Sequence, residues 1–238
     1  VPDTITTEVF VGEMTIISST VYSYDDQGLL KEIIAYSNGV ENTRTTVEND
    51  TNGEVVHQSS VSNGVTTITD SENIYDDAGN LVQKTDTVTI DGVVSNIREY
   101  TYNSDHTLAK AQFRSLGDQS YTTSNTYEYD VEGRQILELR EDSSGTVTHI
   151  ETEYNDLGLN LRTIYKNDSG MISHYTENIY EDNGAVKQVT YAADGTLSPS
   201  YTLTTRNEYG NPLTAETYNG EVLAMRTTYT YITVPAFK

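Results

Sequence analysis

The chain is one phrase written eight times. An anchor residue, then Asp, Asn or Glu, then Gly at the fourth position after the anchor recurs as Tyr24-Asp25-Asp26-Gln27-Gly28, Asn49-Asp50-Thr51-Asn52-Gly53 and Tyr75-Asp76-Asp77-Ala78-Gly79. It continues as Tyr102-Asn103-Ser104-Asp105-His106, Tyr129-Asp130-Val131-Glu132-Gly133 and Tyr154-Asn155-Asp156-Leu157-Gly158, then Tyr180-Glu181-Asp182-Asn183-Gly184 and Arg206-Asn207-Glu208-Tyr209-Gly210. Successive anchors lie 25, 26, 27, 27, 25, 26 and 26 residues apart. So steady a period is the mark of a repeat architecture, in which each unit buries its apolar side against its neighbours.

A second set of turn words lies between the first: Asn38-Gly39, Asn63-Gly64, Asp91-Gly92, Ser144-Gly145, Ser169-Gly170, Asp194-Gly195 and Asn219-Gly220, with Leu116-Gly117-Asp118 in the fourth unit. Asn-Gly and Asp-Gly favour type I′ hairpins, because both central residues need positive φ. The first set reads as a longer loop, its Asp or Asn bonding the backbone two residues on and its Gly ending the turn in the left-handed region. His106 in the Gly slot is tolerable there, since His is enriched among non-Gly residues at positive φ.

The segments between turns are rich in Thr, Val, Ile and Tyr and read as antiparallel strands. Each unit is two strands, about sixteen in all. Residues 1–19 are expected to pair as an N-terminal edge strand, 20–231 to hold the eight repeats, and 232–238 to close the chain with Pro235 on an edge. All of 1–238 reads as a single repeat domain.

Composition agrees. Leu, Ile, Val and Phe number only 52, and the net charge is -22, which is near the limit for folding at all. Yet 36 Thr and 19 Tyr suit a pleated, half-buried surface. Tyr22 and Tyr24, Tyr100 and Tyr102, and Tyr127 and Tyr129 share one face of their strands; Glu99, Glu128, Glu151 and Glu153 take the other. Leu30, Val55, Leu81, Leu108 and Val186 follow two residues after the Gly position, and Tyr36, Phe113, Tyr165, Tyr191 and Tyr218 are expected to stack farther along. Ile136, Leu161 and Leu213 come one residue late, predicting a bulge or register change in those three units.

An open sheet rarely exceeds ~10 strands without curling or splitting. The repeat therefore predicts an all-β strip of hairpins that curls or spirals, with a closed β-barrel as the alternative.

With "YDDQG", "YDDAGNL", "YDVEGRQ" and "YNDLGLNL" on the page, the sequence resembles the bacterial YD-repeat family, the Tyr-Asp repeats of rearrangement-hotspot (Rhs) and wall-associated proteins. The resemblance runs from about Tyr22 to Tyr231. It implies a secreted, lipoprotein-type or surface-located bacterial protein, and a hairpin strip that in large relatives spirals into a hollow shell around a toxin. Only Gly133-Arg134 keeps the Gly-Arg pair common after such turns, and no Asp-Pro-x-Gly-Leu segment occurs. Eight units look too few to enclose a polypeptide, so a stand-alone repeat protein is expected.

Little in the sequence points to chemistry. There are no cysteines, hence neither disulfides nor thiolate zinc sites. No stretch approaches the ~20 apolar residues of a membrane-crossing helix, and the acidic balance disfavours nucleic acid. The slot after the anchor takes amide as readily as carboxylate, which suits a turn-forming oxygen and not a catalytic acid. Asp25, Asp26, Asp76 and Asp77 are the candidates for an adventitious calcium ion, though no EF-hand spacing is present. His149 and His174 occupy equivalent strand positions ~10 Å apart, too far to share one zinc. No cofactor is expected. The sequence thus predicts a non-catalytic scaffold or binding module for a surface glycan or protein. Two alternatives are an enzyme using acids along one turn edge and a self-assembling surface protein.

Overall fold

The computed structural model describes residues 1–11, 14–117 and 122–232. Within them lie eighteen strands and no helix: β1 Pro2–Val11, β2 Met14–Tyr24, β3 Leu30–Ser37, β4 Val40–Asn49, β5 Val55–Ser62, β6 Val65–Tyr75, β7 Leu81–Ile90, β8 Val93–Tyr102 and β9 Leu108–Ser115. They continue as β10 Thr122–Tyr129, β11 Gln135–Glu141, β12 Val147–Tyr154, β13 Asn160–Lys166, β14 Ile172–Tyr180, β15 Val186–Ala192, β16 Leu197–Arg206, β17 Pro212–Asn219 and β18 Val222–Tyr231.

Every strand pairs antiparallel with its neighbours in sequence, and β1 pairs with both β2 and β18. The sheet therefore closes into a barrel, the alternative in the sequence reading, and does not remain an open strip. Closure satisfies the backbone groups that two edges would expose. Residues 1–19 accordingly do not form an edge: they supply β1 and half of β2. Pro235 and Asp118 lie outside the described residues.

Following the register around the ring sorts the side chains onto two walls. Thr45, Val47, Asp86, Val88, Glu138, Ile150 and Val186 are buried and share one wall. That is the concave, inner wall. The paired tyrosines fall on it, Tyr22 with Tyr24, Tyr100 with Tyr102 and Tyr127 with Tyr129, while Glu99, Glu128, Glu151 and Glu153 stand outside, as the alternation predicts.

Two ladder expectations need correction. The register shifts at the Tyr-Asp end in seven of the eight hairpins, not only beside Ile136, Leu161 and Leu213. In those three, the paired slot holds Gln135, Asn160 or Pro212, so the apolar residue takes the bulged position and is left partly exposed. Each shift also inverts the alternation beyond it. Phe113 and Tyr165 consequently face inward and Tyr36 and Tyr218 outward, while Tyr191 faces outward because the β14–β15 hairpin keeps its register.

Among the described residues no side chain is less than 2% exposed. Only strands adjacent in the ring approach within 8 Å, Cα to Cα. Eight strands already make an interior that side chains can fill, and eighteen make a far wider one. Most lumen-facing side chains are half-buried or exposed and are not sealed into a core.

Candidate functional site

The Tyr-Asp word divides into two tasks. The Asp or Asn shapes its own loop: Asp76 Oδ1 accepts from the N–H groups of Ala78 at 2.9 Å and Asn80 at 2.8 Å, and Asp25 does the same for Gln27 and Leu29. The Gly closes the turn at positive φ, 85° at both Gly28 and Gly79. Where Glu181 or Asn103 occupies the slot, a residue two further on takes over: Asn183 Oδ1 accepts from Ala185 N–H, and Asp105 Oδ1 from Thr107 N–H.

The anchor works across the ring. Tyr129, Tyr154, Tyr180 and Tyr231 donate their hydroxyls to the carbonyls of Leu108, Gln135, Asn160 and Pro212, at 2.9, 2.8, 2.7 and 2.6 Å. Each acceptor is the residue paired with the anchor position of the preceding hairpin. Asn49, in the anchor slot of the second unit, reaches Leu30 in the same way at 2.9 Å. Tyr75 instead donates to Asp50 Oδ2 at 2.5 Å, and Asn73 also donates to that oxygen. Burial, then the Asp50 carboxylate, push the Tyr75 hydroxyl up to about 12. Burial raises Asp50, but the bonds from Tyr75, Glu54 N–H, Asn73 and Asn52 N–H outweigh it and leave its carboxyl below the ordinary value.

Of the calcium candidates, Asp25 and Asp76 are thus engaged by their own loops, and Asp26 and Asp77 stand exposed beside them. Among the described residues no three His, Cys, Asp or Glu side chains converge as a metal site. His149 and His174 do not occupy equivalent positions: a register shift before His174 turns it inward, where it stacks on Tyr165 at 4.2 Å, while His149 faces outward.

The most concentrated polar chemistry on the inner wall spans β6 to β11. Asp86, 8% exposed, accepts from Ser71 Oγ at 2.7 Å and lies directly opposite Arg98. Glu138 accepts from Asn125 at 3.1 Å and from both Nε and Nη2 of Arg140, at 2.7 and 3.2 Å. Both carboxylates are held close to the wall, whereas Arg98 is exposed and the Arg140 side chain is 54% exposed against 10% for Glu138. Tyr100 and Tyr127 rise between these pairs. Burial, then Asp86, raise the Tyr100 pKa. This wall offers guanidinium donors, amides and aromatic rings, with its negative charge kept behind them.

Sequence reasoning did not single out these residues. Arg98 was readable, since it lies two and four residues before Tyr100 and Tyr102 and must share their wall. Asp86 and Glu138 follow register shifts and were not.

The outer wall is different. Arg44, Asp70, Lys110, Glu151, Arg162, Glu177, Glu216 and Arg226 all stand on it within the strands. Several pair across strands, as in Lys166–Glu151 at 2.5 Å and Arg226–Glu216 at 2.8 Å. Tyr175 stacks on Tyr191 and Tyr201 on Tyr218, each at 4.9 Å, and Val189 between these rings is only 5% exposed although it faces outward.

No protein-family model and no curated protein matches the chain. Among solved structures, a porin-like protein from Bacteroides uniformis aligns over 96% of this chain and 97% of its own, at 12% identity and a TM-score of 0.51. A porin-like protein from Bacteroides vulgatus aligns over 98% and 99%, at 13% identity and a TM-score of 0.50. The Photorhabdus luminescens Tc holotoxin pore aligns over 89% of this chain but 15% of its own, at 11% identity and a TM-score of 0.31, too loose to carry an argument. The two Bacteroides likenesses show a shared barrel fold.

Proposed function

We propose that the chain is a non-catalytic, water-facing binding barrel of the bacterial cell surface that takes its ligand against the inner wall. The observation that carries this reading is the lumen face, where Tyr100 and Tyr127 are half-buried and the Arg98 and Arg140 side chains are exposed. The Tyr-Asp motif, through its resemblance to YD-repeat proteins, and the porin-like names of the two Bacteroides neighbours support a surface location.

The charged outer wall argues against crossing a bilayer. A membrane barrel needs an outward apolar band about 25 Å tall, and an Arg or Lys at its midplane costs about 2–4 kcal/mol. Charges within the outer strands interrupt any such band. The same geometry disfavours paired-carboxylate chemistry between the two buried acids of the inner wall. Asp86 on β7 and Glu138 on β11 are four strand spacings apart, roughly 19 Å, against the ~5–9.5 Å of paired glycosidase carboxylates. Closure also leaves no free strand edge among the described residues, so self-assembly through them would use side-chain faces.

The test is direct. Expressed without detergent, the protein is expected to stay soluble and to release no dye from phospholipid vesicles. Soluble glycans or peptides are expected to change its tyrosine fluorescence, which is unobscured because the chain has no Trp. Vesicle leakage with detergent-dependent solubility overturns the reading in favour of a pore.

A further inference from the structure

The distribution of charge between the walls identifies the class of ligand. The chain holds 36 acidic residues against 14 Lys and Arg, yet among the described residues the cross-strand-paired positions of the inner wall carry Lys84, Arg98, Arg140 and Arg206 against Asp86 and Glu138. The two carboxylates are buried against their partners, while Arg98, Arg140 and Arg206 are exposed. Cations are therefore the charges that an entering molecule meets at the wall, inside a shell that is acidic elsewhere.

Resting on the lumen-binding reading above, we infer that the inner wall of β7–β11 takes an acidic oligosaccharide. Its carboxylate or sulfate groups lie on Arg98 and Arg140, and its sugar rings lie against Tyr100 and Tyr127. Arg98 and Arg140 stand three strands apart, roughly 15 Å at ~4.8 Å per strand, so an extended oligomer spans both and a single sugar does not. Guanidinium matches carboxylate and sulfate oxygens with paired donors. Nε and Nη2 of Arg140 are engaged by Glu138 and its Nη1 is not, which fixes the orientation of the group while leaving donors for a ligand.

The acidic rim does not forbid this. Arg98 lies five residues from the Tyr-Asp loop beginning at Asn103, about 16 Å at ~3.3 Å per residue, which is two Debye lengths at physiological salt. Arg140 is nearer its rim, with Asp142 two residues on, and is the weaker contact.

Calorimetry on the whole chain tests the inference with three probes of matched length: an oligogalacturonate, a sulfated dextran oligomer and a neutral cello-oligosaccharide. At least one acidic probe is expected to bind at least tenfold more tightly than the neutral one, with affinity falling as salt rises. Arg98→Gln is expected to weaken that binding at least tenfold. The double variant Glu138→Gln/Arg140→Gln, which replaces the ion pair by two amides and leaves no buried charge unpaired, is expected to weaken it severalfold. Circular dichroism identical to the parent's certifies each variant as folded. Equal binding of all three probes, sensitive to Tyr127→Ala but not to Arg98→Gln, overturns the acidic-ligand inference and leaves lumen binding standing. Acidic binding unchanged in both arginine variants also overturns it, marking surface cations as the contact. No binding by any probe overturns it, and the lumen reading then stands or falls on peptide titration.

Discussion

The two halves of the ring fill one period differently. From β3 to β8 the strands run 8, 10, 8, 11, 10 and 10 residues, and the hairpins opposite the Tyr-Asp end are two-residue turns. Asn38 and Gly39 sit at φ 48° and 79°, and Asp91 and Gly92 at 47° and 82°, as a type I′ turn requires. From β11 to β15 the strands shorten to 7, 8, 7, 9 and 7 residues. There the loops after Glu141, Lys166 and Tyr191 copy the geometry of the Tyr-Asp loops: Asp142 N–H donates to Thr146 O and Gly145 N–H to Asp142 O. Asp142 Oδ1 accepts from Ser144 and Thr146 N–H as Asp76 Oδ1 does from Ala78 and Asn80. The period thus reports the width of one hairpin pair in the ring, not how its residues divide between strand and loop.

The sharpest way to separate the halves is to remove the loop carboxylate in each. Asp50 serves its own loop and also anchors Tyr75 and Asn73 of the next hairpin, whereas Asp142 bonds only within its loop. Asp50→Ala strands buried donors, and charged hydrogen bonds of this kind contribute about 1.5–3 kcal/mol each. A loss of about 3 kcal/mol in urea unfolding is expected, with a much smaller loss for Asp142→Ala. Equal losses would mean that the link between hairpins contributes nothing.

Much of this was legible. The sixteen repeat strands are β3 to β18, and the segment read as a single edge strand supplies β1 and the first half of β2, which ends on the first anchor, Tyr24. The wall of each paired tyrosine followed from simple alternation. Closure was not legible, since Pro2–Val11 carries no mark that it pairs with β18. The extra loops were missed because Ser144-Gly145 and Ser169-Gly170 were read as dipeptides, although Asp142 and Asn167 stand three residues before each Gly and repeat the Asp-to-Gly spacing of the first set. Asn219-Gly220 is likewise displaced: Asn219 pairs with Val222, the loop is Gly220-Glu221, and only its first residue has positive φ, 62°, as in a type II′ turn. The inner charged pairs were hidden by register shifts, whose side-inverting effect a sequence does not announce.

Alkali probes the hydroxyl bonds next. In the fold Tyr75 titrates at about 12, above its ordinary value of 10. A group raised on folding lends stability that is complete below the unfolded pKa and disappears as pH climbs through the folded one. Stability is therefore expected to decline between pH 10 and 12 as tyrosinate absorbance rises, and Tyr75→Phe should lose part of that slope. An unchanged slope would exclude the Tyr75–Asp50 bond as its source.

A subtler comparison uses one of the two anchors that are not aromatic, Asn49. Asn49→Ala removes the bond to Leu30 O and is expected to cost about 1 kcal/mol. Asn49→Tyr should restore most of it, because Tyr129, Tyr154 and Tyr180 make the equivalent bond from the same slot. If tyrosine is no better than alanine, the ring of anchor bonds depends on local shape and is not a shared device.

The smallest effect separates charge from geometry within the second half. The hydroxyl of Ser144, then the N–H groups of Ser144 and Thr146, hold the Asp142 carboxyl below its ordinary value. A carboxyl lowered on folding adds stability above its unfolded pKa of ~3.9, and that contribution fades as pH drops through the folded value. Asn167 performs the same task in the next loop with an amide, accepting from Ser169 and Met171 N–H at 3.2 and 3.0 Å. Asp142→Asn is therefore expected to leave the melting temperature at neutral pH almost unchanged and to flatten its fall below about pH 4. A marked loss at pH 7 would show that the carboxylate contributes something an amide cannot, which the eight Tyr-Asp slots, with their mixture of Asp and Asn, argue against.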